Sequence, residues 1–139
     1  RGQILAFRAP PRLLRYPVLS ERAYAVQHWD GRLLVGSTVE FAGFEKALTL
    51  EGLHGILQGV CRMTSALNRC TLLETWAGLR PYSATGRPLL GPTRIAGLYL
   101  ATGHFRHGIL LAPITAKLMA ELILRGRTSF DLSPFAPVP

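Results

Sequence analysis

The chain has 139 residues, 48% of them hydrophobic and 17% charged, with a formal net charge of +8. That length suits one domain or two half-domains of something larger, and so apolar a chain buries enough surface to offset its ordering entropy, which excludes intrinsic disorder. Two cysteines, Cys61 and Cys70, are too few for a disulfide scaffold, and no stretch reaches the roughly 18 uninterrupted apolar residues of a membrane span.

The opening Arg1-Gly-Gln-Ile-Leu-Ala-Phe7 reads as a strand entered without a cap or leader, as if the chain were the C-terminal part of a longer protein. Residues 8 to 19, with three prolines and three arginines, are expected to form an irregular connection. Tyr24 to His28 reads as a strand, Trp29-Asp30-Gly31 as a turn, and Arg32 to Val39 as the return strand. Asp-Gly between two apolar runs is a hairpin signal, because glycine tolerates the positive φ the turn demands.

From Leu50 the period changes. Leu53, Ile56, Leu57, Val60, Met63 and Leu67 recur at three and four, which predicts one apolar helix face capped by Thr49, with Glu51 at the positive end of the dipole. Gly52, Gly55 and Gly59 weaken that helix, so it must lean on tertiary packing. Thr71 to Trp76 reads as a strand, Ala77 to Pro92 as a loop, and Leu98 to Ala101 as a short buried strand. A last helix is expected from about Leu111 to Arg125, with Pro113 in its first turn and Gly126 as its stop. The tail after Phe130 carries Pro134, Pro137 and Pro139 and is expected to be loose. These elements give an α+β composition: an antiparallel sheet layer with a covering helix, then a strand and helix appended to a sheet the chain does not contain.

Nearly all the positive charge is arginine, since Lys46 and Lys117 are the only lysines. The arginines are scattered rather than gathered beside stacking aromatics, which argues against a nucleic-acid partner. A solvated basic surface and an anionic cofactor or substrate both remain open as reasons for the charge. His104 and His107 have no third ligand of matched spacing, so no metal is expected. Cys61 and Cys70 read as buried inert thiols. No serine sits in a nucleophile elbow, and no Walker loop or GxGxxG is present, so no catalytic nucleophile or base is assigned.

Two segments remain as chemistry. Gly103-His-Phe-Arg-His-Gly108-Ile-Leu-Leu lies between a strand and a helix N-terminus, which presents unpaired N–H groups to an anion. Trp76-Ala-Gly-Leu-Arg80-Pro81 places an arginine before a proline, in backbone restricted toward extended geometry. Arg80 and Arg106 could together clamp a carboxylate, for which the planar guanidinium is well shaped.

WAGLRP, GRPLLG and GHFRHGILLAP, with the opening RGQ and the YAVQHWDGRLLVGST hairpin, resemble the C-terminal portion of the FAD-dependent amine and amino-acid oxidoreductases of the D-amino-acid oxidase superfamily, in particular the glycine oxidases of thiamine biosynthesis. The resemblance implies an α+β organisation in which residues 1–76 belong to the substrate-binding domain. Residues 77–132 would be the C-terminal part of a Rossmann-like FAD-binding domain whose N-terminal part is missing, and 133–139 a tail. It implies a flavin enzyme that oxidises the amine of glycine or a small amino acid to an imine, with FAD as cofactor and oxygen as acceptor. Tyr24, Arg80 and Arg106 would bind the substrate, Arg80 by its carboxylate. Gly78, Gly103, His104, Phe105, Arg106, His107, Gly108, Ile109 and Leu110 would lie along the flavin. His107 departs from the asparagine often found there, which leaves the substrate open. The implied partners are a small amino acid or amine and the missing N-terminal FAD-binding segment, with a homo-oligomer left open. No leader and no membrane span point to a cytoplasmic protein. A non-catalytic truncated remnant, and a sarcosine oxidase or D-amino-acid dehydrogenase relative, stand as alternatives.

Overall fold

In the computed structural model, which describes residues 1–137, the opening apolar run forms strand β1 (Gly2–Arg8). It is followed by β2 (Val18–Leu19), β3 (Tyr24–Gln27), β4 (Arg32–Gly36), helix α1 (Leu50–Cys61), a 3₁₀ turn (Ser65–Arg69) and β5 (Thr71–Gly78). The five strands make one sheet in the order β2-β3-β4-β1-β5, and every pairing is antiparallel. This sheet and α1 form a first unit, Arg1–Leu79; a second unit runs over Arg80–Pro139.

The β3–β4 hairpin closes where Asp-Gly predicts it. Gly31 takes φ +87°, and the Asp30 carboxylate accepts hydrogen bonds from the Arg32 backbone N–H (3.0 Å) and its Nε (2.8 Å). The return strand ends at Gly36 rather than Val39. Beyond that point the Gln3 N–H donates to the Thr38 hydroxyl (2.9 Å), so a side chain replaces the next rung of the ladder. β2 is a two-residue strand inside the connection expected to be irregular; Pro17 stands just before it, where no ladder bond is lost.

Thr49 caps α1 by accepting from Gly52 N–H at 3.2 Å. The helix buries Ile56, Gly59 and Val60 against Leu5, Ala25, Leu33 and Val35 of the sheet. It stops at Cys61, short of the expected Leu67. Thr64 accepts from Ala66 N–H and starts a separate 3₁₀ turn, which returns Leu67 to the same core. The apolar spacing therefore continues although the helix does not. Leu57 is 37% exposed, not part of the buried face, and Cys61 is exposed rather than buried. Cys70 is half-buried, and burial pushes its thiol up.

The second unit holds β6 (Leu89–Pro92) and β7 (Tyr99–Thr102), paired antiparallel, then helix α2 (Gly108–Arg125) and a 3₁₀ turn at Ser133–Phe135. β6 occupies the end of the segment expected to be loop; its Gly91 and Pro92 disguise a strand that pairs on β7. α2 begins three residues earlier than expected, so Pro113 lies inside the helix rather than in its first turn. Gly126, at φ +66°, ends it and donates to Leu122 O at 2.9 Å. The start of the tail is ordered by Asp131, which accepts from Ser133 N–H and hydroxyl; Val138 and Pro139 of the expected loose tail lie outside the described residues. Among the described residues no helix is long and apolar enough to cross a membrane.

Candidate functional site

The turn from β7 into α2 is fixed from several sides. Gly103 takes φ +78°, a conformation that favours glycine, and a Cβ there would stand in contact, at 3.4 Å, with Arg87 O, Leu89 N and the Ser83 side chain. Phe105 follows at φ +50°, a left-handed conformation that costs an ordinary residue about 1–2 kcal/mol. What holds it there is the neighbouring segment: Phe105 N–H donates to Pro81 O at 2.9 Å, Tyr82 bridges His104, and the Tyr82 and Phe105 rings meet edge to face at 5.2 Å. Arg80, half-buried, is therefore one residue from a strand segment bonded to the turn that carries Arg106. His104 turns its Nε2 to the hydroxyl of buried Thr115 in α2 at 3.0 Å.

His107 accepts from Leu111 N–H at 2.9 Å, the first bond of the helix ladder, and makes no side-chain cap. The N–H groups of Gly108, Ile109 and Leu110 precede that ladder and point out of the helix start, where the dipole concentrates partial positive charge. Around them Ile109 is 96% and Leu110 77% exposed, and Arg106 and His107 are exposed as well. A positive helix end wrapped in uncovered aliphatic side chains suits a flat ring system with an electron-rich edge. The isoalloxazine of FAD has that character, and Gly103, the 104–107 turn and Gly108 to Leu110 are the residues that fit it.

The first unit carries the other expected residues. Side chains alternate across its sheet. Gln3, Leu5, Ala25, Leu33 and Val35 face α1, and the opposite face carries a row across four strands: Tyr24 opposite Gly36, Gly36 opposite Ile4, Ile4 opposite Trp76. Tyr24 is half-buried in that row. Gly78 pairs with Gly2 at the end of β5, with open space where its side chain would be. The structure thus joins Gly103 through Leu110 in one turn beside the Arg80 segment, and carries Tyr24 and Gly78 on the sheet of the first unit. Tyr82, Ser83 and Thr115 escape sequence reasoning. Ser83 and Thr115 are buried hydroxyls with no motif, and Tyr82 simply follows the WAGLRP run.

Residues 1–122 match the sequence profile described as FAD dependent oxidoreductase. The chain is 36% identical over 138 residues to glycine oxidase of Pseudomonas putida, spanning 99% of this chain and 38% of that protein. It is 38% identical to hydrogen cyanide synthase subunit HcnC of Pseudomonas aeruginosa, over 97% of this chain and 33% of that one. The crystal structure of glycine oxidase from Geobacillus kaustophilus superposes with a TM-score of 0.89 at 34% identity, covering 99% of this chain and 38% of its own. The chain therefore spans well under half the length of these relatives.

Proposed function

The chain belongs to the FAD dependent oxidoreductase family, and from that premise we propose that it works as part of an FAD enzyme oxidising the amine of glycine or another small amino acid to an imine, with oxygen as acceptor. The observation that carries the proposal is the uncapped start of α2, reached through the Gly103–His107 turn and flanked by exposed Ile109 and Leu110. Similarity to glycine oxidases along 99% of the chain supports the same reading.

FAD, when bound, supplies the two-electron acceptor for amine oxidation. The chain's own residues bind and orient. N–H groups of Gly108, Ile109 and Leu110 stabilise negative charge at the helix start, and they do so without reorganising because the helix already fixes them. The aliphatic side chains beside them exclude water, which strengthens that field. In the second unit, Arg80 takes the substrate carboxylate as a two-pronged donor and Arg106 flanks the same turn. In the first unit, Tyr24 offers its hydroxyl to the substrate from the sheet face. Residues 1–76 thereby serve substrate binding, and 77–132 serve the flavin and supply the Arg80 contact to the substrate.

The test is anaerobic mixing of the complete gene product, loaded with FAD, with glycine and with other small amino acids and amines. Bleaching of the visible flavin band by one of them is the expected result. A flavin that stays oxidised with every one of them contradicts the proposal.

A further inference from the structure

We propose that Gly36 is a positioning residue for the Tyr24 hydroxyl, its missing side chain leaving the space in which that hydroxyl stands beside Ile4. The inference rests on the reading of Tyr24 as a substrate-binding residue and names what sets its place.

Tyr24 and Gly36 face each other directly across β3 and β4, and Gly36 faces Ile4 across β4 and β1. A Cβ built on Gly36 would lie 3.4 Å from the Tyr24 Oη, 3.1 Å from Ile4 Cγ1 and 3.5 Å from Gln3 O. The Tyr24 ring thus reaches across the neighbouring strand and sets its hydroxyl over bare backbone. Gly36 closes β4 and is absent from the positive-φ residues, and the space it leaves is what the Tyr24 hydroxyl uses.

The contacts also rank the expected effects. An alanine methyl would touch the hydroxyl at ordinary van der Waals distance and press Ile4 by a few tenths of an ångström, so the sheet should accommodate it. A valine carries its γ-carbons further into the same row, where only the Tyr24 hydroxyl end and Ile4 can give way. Displacement of a substrate-positioning group by about 1 Å can lower catalysis about a hundredfold. The loss should grow with side-chain size and should act through the hydroxyl.

The experiment measures kcat and KM for glycine in the complete, FAD-loaded gene product for Gly36→Ala and Gly36→Val, each with Tyr24 and with Tyr24→Phe. Thermal unfolding and the flavin spectrum establish that each variant is folded. The expected result is a KM raised about threefold by alanine and at least about tenfold by valine, with either effect below about twofold once the hydroxyl is gone. If valine prevents folding, the alanine pair carries the same comparison. Equal losses with and without the hydroxyl, in enzyme already impaired by Tyr24→Phe, overturn the positioning role alone. Unchanged kinetics in Tyr24→Phe itself overturn the reading of Tyr24, and the positioning role with it. Restoration of wild-type kinetics to Gly36→Ala by adding Ile4→Ala would assign the effect to crowding of Ile4, and would also overturn it.

Discussion

Gln3 has no exposed surface, yet it is an amide, and its position is explained by what surrounds it. Its Nε2 donates to Glu40 Oε1 (2.8 Å) and Thr49 Oγ1 (2.9 Å), and its Oε1 accepts from Thr49 N–H (3.0 Å). One side chain therefore ties β1 to the cap of α1 and to the segment after β4. Burial pushes the Glu40 carboxyl up, but hydrogen bonds from Thr38, Arg1 and Gln3 and the Arg1 charge outweigh it and hold the group below its usual value. Gly52 completes the arrangement, since a Cβ there would fall 2.2 Å from Gln3 Nε2. In a bare helix, Gly52→Ala would be expected to stabilise by about 1 kcal/mol. Here the amide cannot move aside without leaving buried polar atoms unpaired, at about 1–3 kcal/mol, so the clash wins. Gly52→Ala should lower the thermal midpoint of the complete protein, read by calorimetry or circular dichroism; a raised midpoint would show the network to be loose. The RGQ triplet is visible in the sequence. Its partners, up to 46 residues away in chain order, are not.

At the scale of elements, α1 separates what periodicity reveals from what it hides. Spacing at three and four places Ile56 and Leu57 side by side on one apolar face, but the sheet covers only part of that face. Ile56 is 2% exposed and Leu57 37%. Ile56→Ala should therefore destabilise by about 2–5 kcal/mol, and Leu57→Ala by about 1 kcal/mol or less. Chemical denaturation of the two variants decides it, and similar losses in both would mean that Leu57 is covered. The β3–β4 hairpin and the Thr49 cap were legible because each rests on local chemistry, a glycine turn and a hydroxyl within three residues of its donor. β6 was not, since Gly91 and Pro92 read as loop until Tyr99 and Leu100 supply the opposing strand. The start of α2 is hidden for a related reason. Proline suggests a first turn, but here the helix begins at Gly108 and does without the single bond Pro113 cannot make.

The whole chain is built as two units. A five-stranded antiparallel sheet with one helix carries the Tyr24 face, and a strand pair leading into a long helix carries the Gly103–His107 turn. Candidate residues of the turn were legible together because they are contiguous in sequence. The tie between Pro81 and Phe105, which brings the Arg80 segment to that turn, required the fold. In the proposed oxidation of a small amino acid, Arg80 is the residue that takes the substrate carboxylate. The most direct measurement compares kcat/KM for glycine with that for a simple amine lacking a carboxylate, in wild-type and Arg80→Leu forms of the complete, FAD-loaded gene product. Loss of a charge-assisted, two-pronged contact is worth about 1.5–3 kcal/mol, so kcat/KM for glycine should fall about 10- to 150-fold. The amine should change by less than about threefold, and Arg80→Lys should restore little, because a point charge does not reproduce the guanidinium fork. Equal losses for the two substrates would contradict the account and return Arg80 to a structural role.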